Sequence, residues 1–162
     1  MTVAVYPGSF YPITHGHIDI VTRASRMFDK IVMAVVENPG KQPFMSLDER
    51  VAMAKHCVAK LGNVEVASFK GLTVELAKKH KASVIIRGLR AVSDFDFEFS
   101  MFQMNHTLAP EIETIFMMAG LDYQFLRSSM VKEVFSLGGD VSDVVPDQVR
   151  QYLKSHSSEK GS

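Results

Sequence analysis

Two hydrophobic patterns alternate along almost the whole chain. Short, nearly continuous apolar runs rich in Val, Ile or Phe are followed by longer segments in which apolar residues recur every three or four positions. Runs of the first kind are typical of strands in a parallel sheet covered on both faces, whereas the second pattern is typical of amphipathic helices. The predicted strands are residues 2–6, 30–37, 63–68, 83–87 and 112–117.

Helix boundaries support this alternation. Residues 18–28 form the first predicted helix, and a capping box at Ser46 opens the second. The glycine pair at 138–139 ends a helix that begins near Ser129, and Pro146 suits the first turn of a last helix. This order predicts an α/β fold: a doubly wound, Rossmann-like five-stranded parallel sheet with helices on both faces and C-terminal helices. Its ligand site is expected at the carboxyl ends of the strands.

A helix predicted at residues 93–109 is apolar on two sides. One stripe contains Phe95, Phe99 and Phe102, and the other contains Phe97, Met101, Met104 and Leu108. We expect one stripe to pack on the sheet, so the other needs a different cover, which favours a subunit interface. Asp94 and Asp96, close to the start of this helix, are expected to complement its dipole.

Composition describes one ordinary domain without net charge. Residues 1–155 are predicted to form a single domain, and residues 156–162 a disordered polar tail. Because 18 basic residues balance 18 acidic ones, a nucleic-acid partner is not expected. We recognise no signal peptide and no apolar stretch near the roughly 18 residues of a membrane span. With the lone Cys57, this predicts a reducing, cytoplasmic location and no membrane partner.

The loop after the first predicted strand has the clearest chemical content. Residues 7–17 contain the small hydroxyl of Ser9 and two histidines that flank Gly16 at a helix start. Unpaired backbone N–H groups at a helix N-terminus, together with the helix dipole, favour a phosphate. His17 can then meet that phosphate as a hydrogen-bond donor, although a role in capping the helix is also open.

Three further strand ends are expected to add cations or hydroxyls to the same edge of the sheet. Lys41 follows the second strand, Arg87 and Arg90 end the fourth, and Ser128 and Ser129 open a helix after the fifth. Arginine suits bidentate phosphate binding. We find no zinc spacing, dinucleotide fingerprint, Walker A motif or serine nucleophile elbow in the sequence. The pattern therefore predicts an anion site built from four loops.

Several of these segments together carry a family resemblance. They are Tyr6-Pro-Gly-Ser-Phe, Pro12-Ile-Thr-His-Gly-His17, the run from Ile86-Arg-Gly-Leu-Arg to Glu98, Met104-Asn105 and Ser128-Ser-Met-Val-Lys-Glu133. Over residues 2–155 the sequence resembles the phosphopantetheine adenylyltransferases of the nucleotidyltransferase superfamily, which carries a Thr/His-x-Gly-His motif. The opening loop alone indicates the superfamily, and the Arg-Gly-Leu-Arg segment narrows the resemblance to this family.

The resemblance implies an enzyme of coenzyme A biosynthesis. It would transfer the adenylyl group of ATP to 4′-phosphopantetheine, giving dephospho-coenzyme A and pyrophosphate. The acceptor phosphate would attack in line, without a covalent enzyme intermediate. Mg²⁺ would be held mainly by the ATP phosphates rather than by the protein. The resemblance further implies a homohexamer and coenzyme A as a feedback inhibitor.

Residue roles follow from the same resemblance. His17 matches the transition-state stabiliser, and Lys41 and Arg90 are expected to act with it in catalysis. The residues that match the phosphopantetheine site are Ser9, Lys41, Thr73, Arg87 and Asn105. Those that match the ATP site are Ser9, Phe10, His17, Gly88, Leu89, Arg90, Glu98, Tyr123, Arg127, Ser128 and Ser129.

Two positions depart from the family pattern. Tyr11 stands where the family usually has aspartate, and Arg127 where it usually has the first of three hydroxyl residues. Arg127 could either contact a phosphate or crowd the nucleotide. Two other functions stay open: a nucleotidyltransferase with another phosphorylated acceptor, such as a polyol phosphate with CTP, and a non-catalytic nucleotide-binding protein.

Overall fold

Five parallel strands form the centre of the molecule. The structure, a computed structural model, describes residues 1–37 and 45–157. The strands are β1 (Val3–Gly8), β2 (Lys30–Val36), β3 (Val64–Phe69), β4 (Val84–Leu89) and β5 (Glu113–Met118). They lie in the order β3-β2-β1-β4-β5, and every neighbouring pair is parallel. Both ends of each predicted strand lie within two residues of the ends of the observed strand. The predicted fold class is therefore confirmed.

Helices connect and cover the strands. They are α1 (His15–Ala24), α2 (Leu47–Val58), α3 (Thr73–Lys79), α4 (Val92–Leu108), α5 (Ser128–Ser136) and α6 (Asp147–Ser157), with a short 3₁₀ helix at Leu121–Tyr123. α1 begins before the predicted residue 18, because Thr14 is extended and serves as its N-cap. α6 continues to Ser157, and residues 158–162 of the predicted tail lie outside the described residues. None of the described helices combines the length and apolar character of a membrane span.

Two hydrophobic cores, one on each face of the sheet, explain the continuous apolar runs. Along β1, Ala4 and Tyr6 point into one core, and Val3 and Val5 point into the other. The first core lies against α1, α2, α5 and α6, and the second against α3 and the residues that follow α4. Because successive strand residues face opposite sides, both sets must be apolar.

The strand order creates a crevice at one edge of the sheet. From β1 the chain moves outward through β2 to β3, and it then returns to place β4 on the other side of β1. Ligands of open α/β sheets bind where the order reverses, outside the carboxyl ends of the strands. The opening loop follows β1 and Arg90 follows β4, so both lie at this crevice.

α4 differs from the prediction in how it packs. One of the two stripes was expected to pack on the sheet. In the first stripe, however, Phe95 and Phe99 are 45% and 42% exposed, and in the second, Phe97 is 65% exposed. The buried residues of α4 are instead Glu98 and Asn105. Phe102 of the first stripe does meet the sheet, with its ring centre 6.4 Å from that of Phe116 in β5. The rest of that stripe is exposed, because the inner side of α4 carries Glu98, which pairs with Arg87 of β4.

Candidate active site

A cavity of about 440 Å³ opens at the carboxyl ends of β1 and β4. Its walls come from the opening loop, the first turns of α1, the end of β4, one residue of α4 and the segment that leads into α5. The predicted site residues that line it are Ser9, Phe10, His17, Arg87, Gly88, Arg90, Glu98, Tyr123, Arg127, Ser128 and Ser129. Three of the four predicted strand-end loops, those after β1, β4 and β5, therefore converge here, and the role of each residue stays a prediction.

Three of the other predicted site residues lie away from this cavity wall, and nothing is described for the fourth. Lys41 lies outside the described residues. Thr73 is the first residue of α3, and Asn105 is buried about two turns beyond Glu98 on α4. Leu89 is buried at the end of β4 and does not line the cavity.

His17 is held in the first turn of α1 by the residue that caps the helix. The backbone N–H of Thr14 donates to Nδ1 of His17 at 3.0 Å, and Oγ1 of Thr14 lies 3.1 Å from the same nitrogen. Because Nδ1 accepts from an N–H, the neutral imidazole carries its proton on Nε2. Burial, helped by the charge of Arg90, lowers the pKa of His17 to about 4. At neutral pH, His17 is therefore an uncharged hydrogen-bond donor at the cavity.

Two side chains from distant elements fix the backbone of the opening loop. Buried Arg50 of α2 donates through Nη1 to the carbonyl oxygens of Ser9, at 2.8 Å, and Val36, at 3.1 Å. On the other side, Oγ of Ser128 donates to the carbonyl oxygen of Pro12 at 2.8 Å. Sequence reasoning missed Arg50, because an arginine on an amphipathic helix has the signature of an ordinary surface charge.

The two arginines at the end of β4 are each paired with a carboxylate of α4. Arg87 donates through Nε and Nη2 to the two oxygens of Glu98, both at 2.8 Å. Arg90 donates through Nε and Nη2 to the two oxygens of Asp94, at 3.0 and 3.2 Å. Such bidentate pairs fix the plane of a guanidinium group. Asp94 was expected only to complement the dipole of α4. Its spacing of four residues from Arg90 was the signal that could have predicted this ion pair.

Comparisons with known proteins agree with this geometry. A family model described as Cytidylyltransferase-like matches residues 5–134. Phosphopantetheine adenylyltransferase of Heliobacterium modesticaldum is 58% identical over 149 residues, which cover 92% of this chain and 89% of that protein. Its counterpart in Methylococcus capsulatus is 54% identical over 150 residues, 93% of each chain. The chain belongs to the phosphopantetheine adenylyltransferase family.

A solved structure supports the fold of this family member independently. A putative nicotinate-nucleotide adenylyltransferase from Vibrio parahaemolyticus superposes with a TM-score of 0.72 over 96% of this chain and 93% of that one. At 17% sequence identity, this similarity bears on the fold and not on the substrate.

Tyr11 of this family member stands where the phosphopantetheine adenylyltransferases usually have aspartate. Nζ of Lys132 lies 3.8 Å from the centre of the ring, and Cζ of Arg50 lies 5.7 Å from it. The negative face of an aromatic ring attracts cations, as a carboxylate does, although more weakly. The departure therefore keeps an attraction for positive charge at this point of the loop.

The described residues at this family member's cavity do not form a protein-held magnesium site. Within residues 1–37 and 45–157, no group of three or more His, Cys, Asp or Glu side chains is arranged to hold a metal ion. Glu98 and Asp94, the carboxylates beside the β4 arginines, each already accept two hydrogen bonds from a guanidinium group.

Proposed function

We propose that this protein transfers the adenylyl group of ATP to 4′-phosphopantetheine, giving dephospho-coenzyme A and pyrophosphate. The observation that carries the proposal is the 58% identity to a phosphopantetheine adenylyltransferase over 92% of the chain. An oxygen of the acceptor phosphate attacks the α-phosphorus of ATP, and the bond from that phosphorus to the bridging oxygen of pyrophosphate breaks. The protein forms no covalent bond in this reaction.

His17 has the chemistry to stabilise the transition state. Its Nε2–H donates to a non-bridging oxygen of the α-phosphate, where negative charge builds up as the acceptor attacks. Since Nδ1 is occupied by the backbone N–H of Thr14, the donor is fixed before the substrate arrives. A donor that is fixed in advance costs no reorganisation during the reaction, and this is how such sites lower a barrier.

The remaining ATP contacts are proposed for the opposite wall. Ser128 and Ser129 begin α5, so the backbone N–H groups of its first turn and its dipole favour the β- and γ-phosphates. Arg90 and Arg127 line the same cavity and supply positive charge. We propose that Arg127 contacts a phosphate rather than crowding the nucleotide, because its side chain is half exposed and is drawn towards Asp94.

For the acceptor we retain the residues implied by the family. Ser9 and Lys41 would hold the phosphate of 4′-phosphopantetheine, with Arg87 beside them. Thr73 and Asn105 lie away from the cavity wall, which suits contacts with the long pantetheine arm rather than with the phosphate.

Several further properties belong to this proposal. Mg²⁺ enters on the ATP phosphates and keeps several of its waters, because the described carboxylates at the cavity are paired with arginine. Coenzyme A, which contains the product, acts as a feedback inhibitor. The protein forms a homohexamer, and its single cysteine fits a cytoplasmic location.

The test is pyrophosphate release from ATP and Mg²⁺, measured with and without 4′-phosphopantetheine. We expect release that depends on the acceptor, and a product with the mass of dephospho-coenzyme A. The matched control is His17→Ala, which should bind ATP and release little pyrophosphate. ATP binding without acceptor-dependent release by the wild-type protein would overturn the proposal. CTP with a polyol phosphate then tests the other nucleotidyltransferase reaction.

A further inference from the structure

One carboxylate lies between two arginines that come from different parts of the chain. Oδ2 of Asp94 accepts from the backbone N–H of Arg90 at 3.2 Å and from its Nε at 3.0 Å, and Oδ1 accepts from Nη2 of Arg90 at 3.2 Å. Oδ1 also lies 3.9 Å from Nη2 of Arg127, the residue that precedes α5. The Asp94 side chain is 16% exposed, whereas that of Arg127 is 50% exposed, so the carboxylate is the shielded partner of this contact.

A second anchor completes the placement of Arg90. Its Nη1 donates to the carbonyl oxygen of Leu126 at 3.2 Å, in the segment that leads into α5. A guanidinium group has five N–H donors. Within the described part of the chain, its three side-chain contacts, to Oδ1 and Oδ2 of Asp94 and to Leu126, leave one N–H on each Nη for a ligand in the cavity that Arg90 lines.

The charge of Asp94 is stable at neutral pH. Burial on its own would raise the pKa of this carboxyl, but hydrogen bonds from Arg90 and the charges of Arg90 and Arg127 hold it below its usual value. The neighbouring acid Asp96 lies exposed on the same helix, one residue on from Phe95. Asp94 lies in the first turn of α4 and contacts two arginines, whereas Asp96 lies beyond that turn and faces solvent.

We propose that Asp94 is a positioning residue of the nucleotide site, which fixes Arg90 and draws Arg127 to the same wall before ATP arrives. This inference rests on the proposed function, because it takes the ligand of these arginines to be the polyphosphate of ATP. Without the carboxylate, Arg90 keeps its bond to Leu126 but loses the bidentate pair that fixes its plane, and Arg127 loses its contact with Asp94. Ordering the two side chains on binding then weakens affinity. Asp94 itself is not among the described residues that line the cavity.

The test measures dissociation constants for a non-hydrolysable ATP analogue and for 4′-phosphopantetheine by calorimetry. We expect Asp94→Asn to raise the Kd of the analogue about tenfold, which corresponds to about 1.4 kcal/mol, and to leave the acceptor Kd within twofold. Asp96→Asn is the matched control and should bind the analogue like the wild type. Arg127→Ser should cost affinity in the wild-type background and much less in Asp94→Asn, since the two side chains act together.

Other outcomes separate this inference from the proposed function. If Asp94→Asn has a lowered Tm but a wild-type Kd for the analogue, Asp94 has only a structural role, and the inference is wrong. If Asp94→Asn does not fold, Asp94→Glu keeps the charge but moves the oxygens by one methylene. A raised analogue Kd in that variant supports the inference, and an unchanged one overturns it. A wild-type protein that does not bind the ATP analogue overturns the proposed function, and this inference with it.

Discussion

A single backbone N–H decides the chemistry of His17. It occupies Nδ1 from within the helix cap, so the second proton of an imidazolium ion would have to displace Thr14. Phe10 also packs against the imidazole of His17, edge to face, with 5.1 Å between the ring centroids. The residue is therefore built as a neutral donor, and its function does not depend on a charge that is lost near physiological pH.

The first prediction at this scale concerns acid stability. The pKa of His17 is about 4 in the folded chain, compared with 6.5 as its ordinary value. The unfolded chain takes up this proton first, so the contribution of His17 to stability is complete above pH 6.5 and is lost as the pH falls towards 4. The slope approaches about 1.4 kcal/mol per pH unit within that window. Urea unfolding of wild type and His17→Gln between pH 7 and 4.5 measures it. Parallel curves for the two proteins would contradict the assignment.

The second prediction concerns the rate. We expect His17→Ala to lower kcat about 10²–10³-fold, the usual effect of removing one oxyanion donor, while the Kd for ATP changes by a few-fold at most. His17→Gln keeps an amide N–H and should retain more activity than the alanine variant. A large loss of ATP affinity with nearly unchanged kcat would mean that His17 binds the ground state instead.

Among the elements, α5 links the cavity to the opening loop. Its first residue donates to the carbonyl of Pro12, and Lys132, one turn further on, lies over the ring of Tyr11. Its C-terminus closes at Gly138, whose φ of +84° is in the left-handed region, and the N–H of Gly139 donates to the carbonyl of Val134 at 2.8 Å. The start of α5 is therefore held by the opening loop, and its end by a hydrogen bond within its own last turn.

The ring of Tyr11 provides the third prediction. Cation–π contacts are worth about 0.5–1 kcal/mol at accessible sites, so Tyr11→Leu should lower the free energy of unfolding by about that amount. Tyr11→Phe keeps the aromatic face and should stay closer to the wild type. Both are measured by urea unfolding at neutral pH. Equal losses in the two variants would mean that the hydroxyl, rather than the ring, carries the effect.

The end of α5 provides the fourth prediction. Alanine at Gly138 must adopt a positive φ, which costs an L-residue about 1–2 kcal/mol, so Gly138→Ala should unfold at a lower urea concentration. Gly62→Ala is the matched control, because an added Cβ there meets no atom within 4 Å and φ is not positive. Equal stability of the two variants would show that the helix end tolerates another conformation.

These elements also show where sequence reasoning succeeds and where it does not. The strands were predictable because burial on both faces demands unbroken apolar runs, and His17, Arg87 and Arg90 because they sit in local motifs. Arg50 could not be found in this way, since its partner Ser9 is 41 residues away in sequence. The inner face of α4 was misjudged because Glu98 is buried by its pairing with Arg87, a contact that hydrophobic periodicity does not register.

At the scale of the whole molecule, α4 leaves an apolar surface uncovered. Its exposed side chains include Val92, Phe95, Phe97, Phe99, Met104 and Leu108. Isolated exposed apolar residues are common, but two exposed apolar stripes on one helix usually mark an interface. This surface supports the proposed assembly into a homo-oligomer, with α4 between subunits.

The fifth prediction tests that assembly. Phe97→Glu places a charge in the middle of the surface, so it should lower the molar mass measured by light scattering at micromolar concentration. Leu137→Glu is the control, since Leu137 is exposed at the end of α5 and away from α4. A wild-type protein of monomer mass under the same conditions would rule out this interface.

The pairing of arginines with carboxylates also affects how the protein meets ATP. Around the described part of the cavity, three arginines (Arg87, Arg90 and Arg127) face two carboxylates (Asp94 and Glu98), and the whole chain has no net charge. A nearly balanced cluster projects a weak field beyond about 10 Å at 0.1 M salt. These paired arginines therefore contribute little to long-range steering of ATP, and their attraction acts mainly inside the cavity. ATP is selected after it has entered the cavity, rather than on its way there.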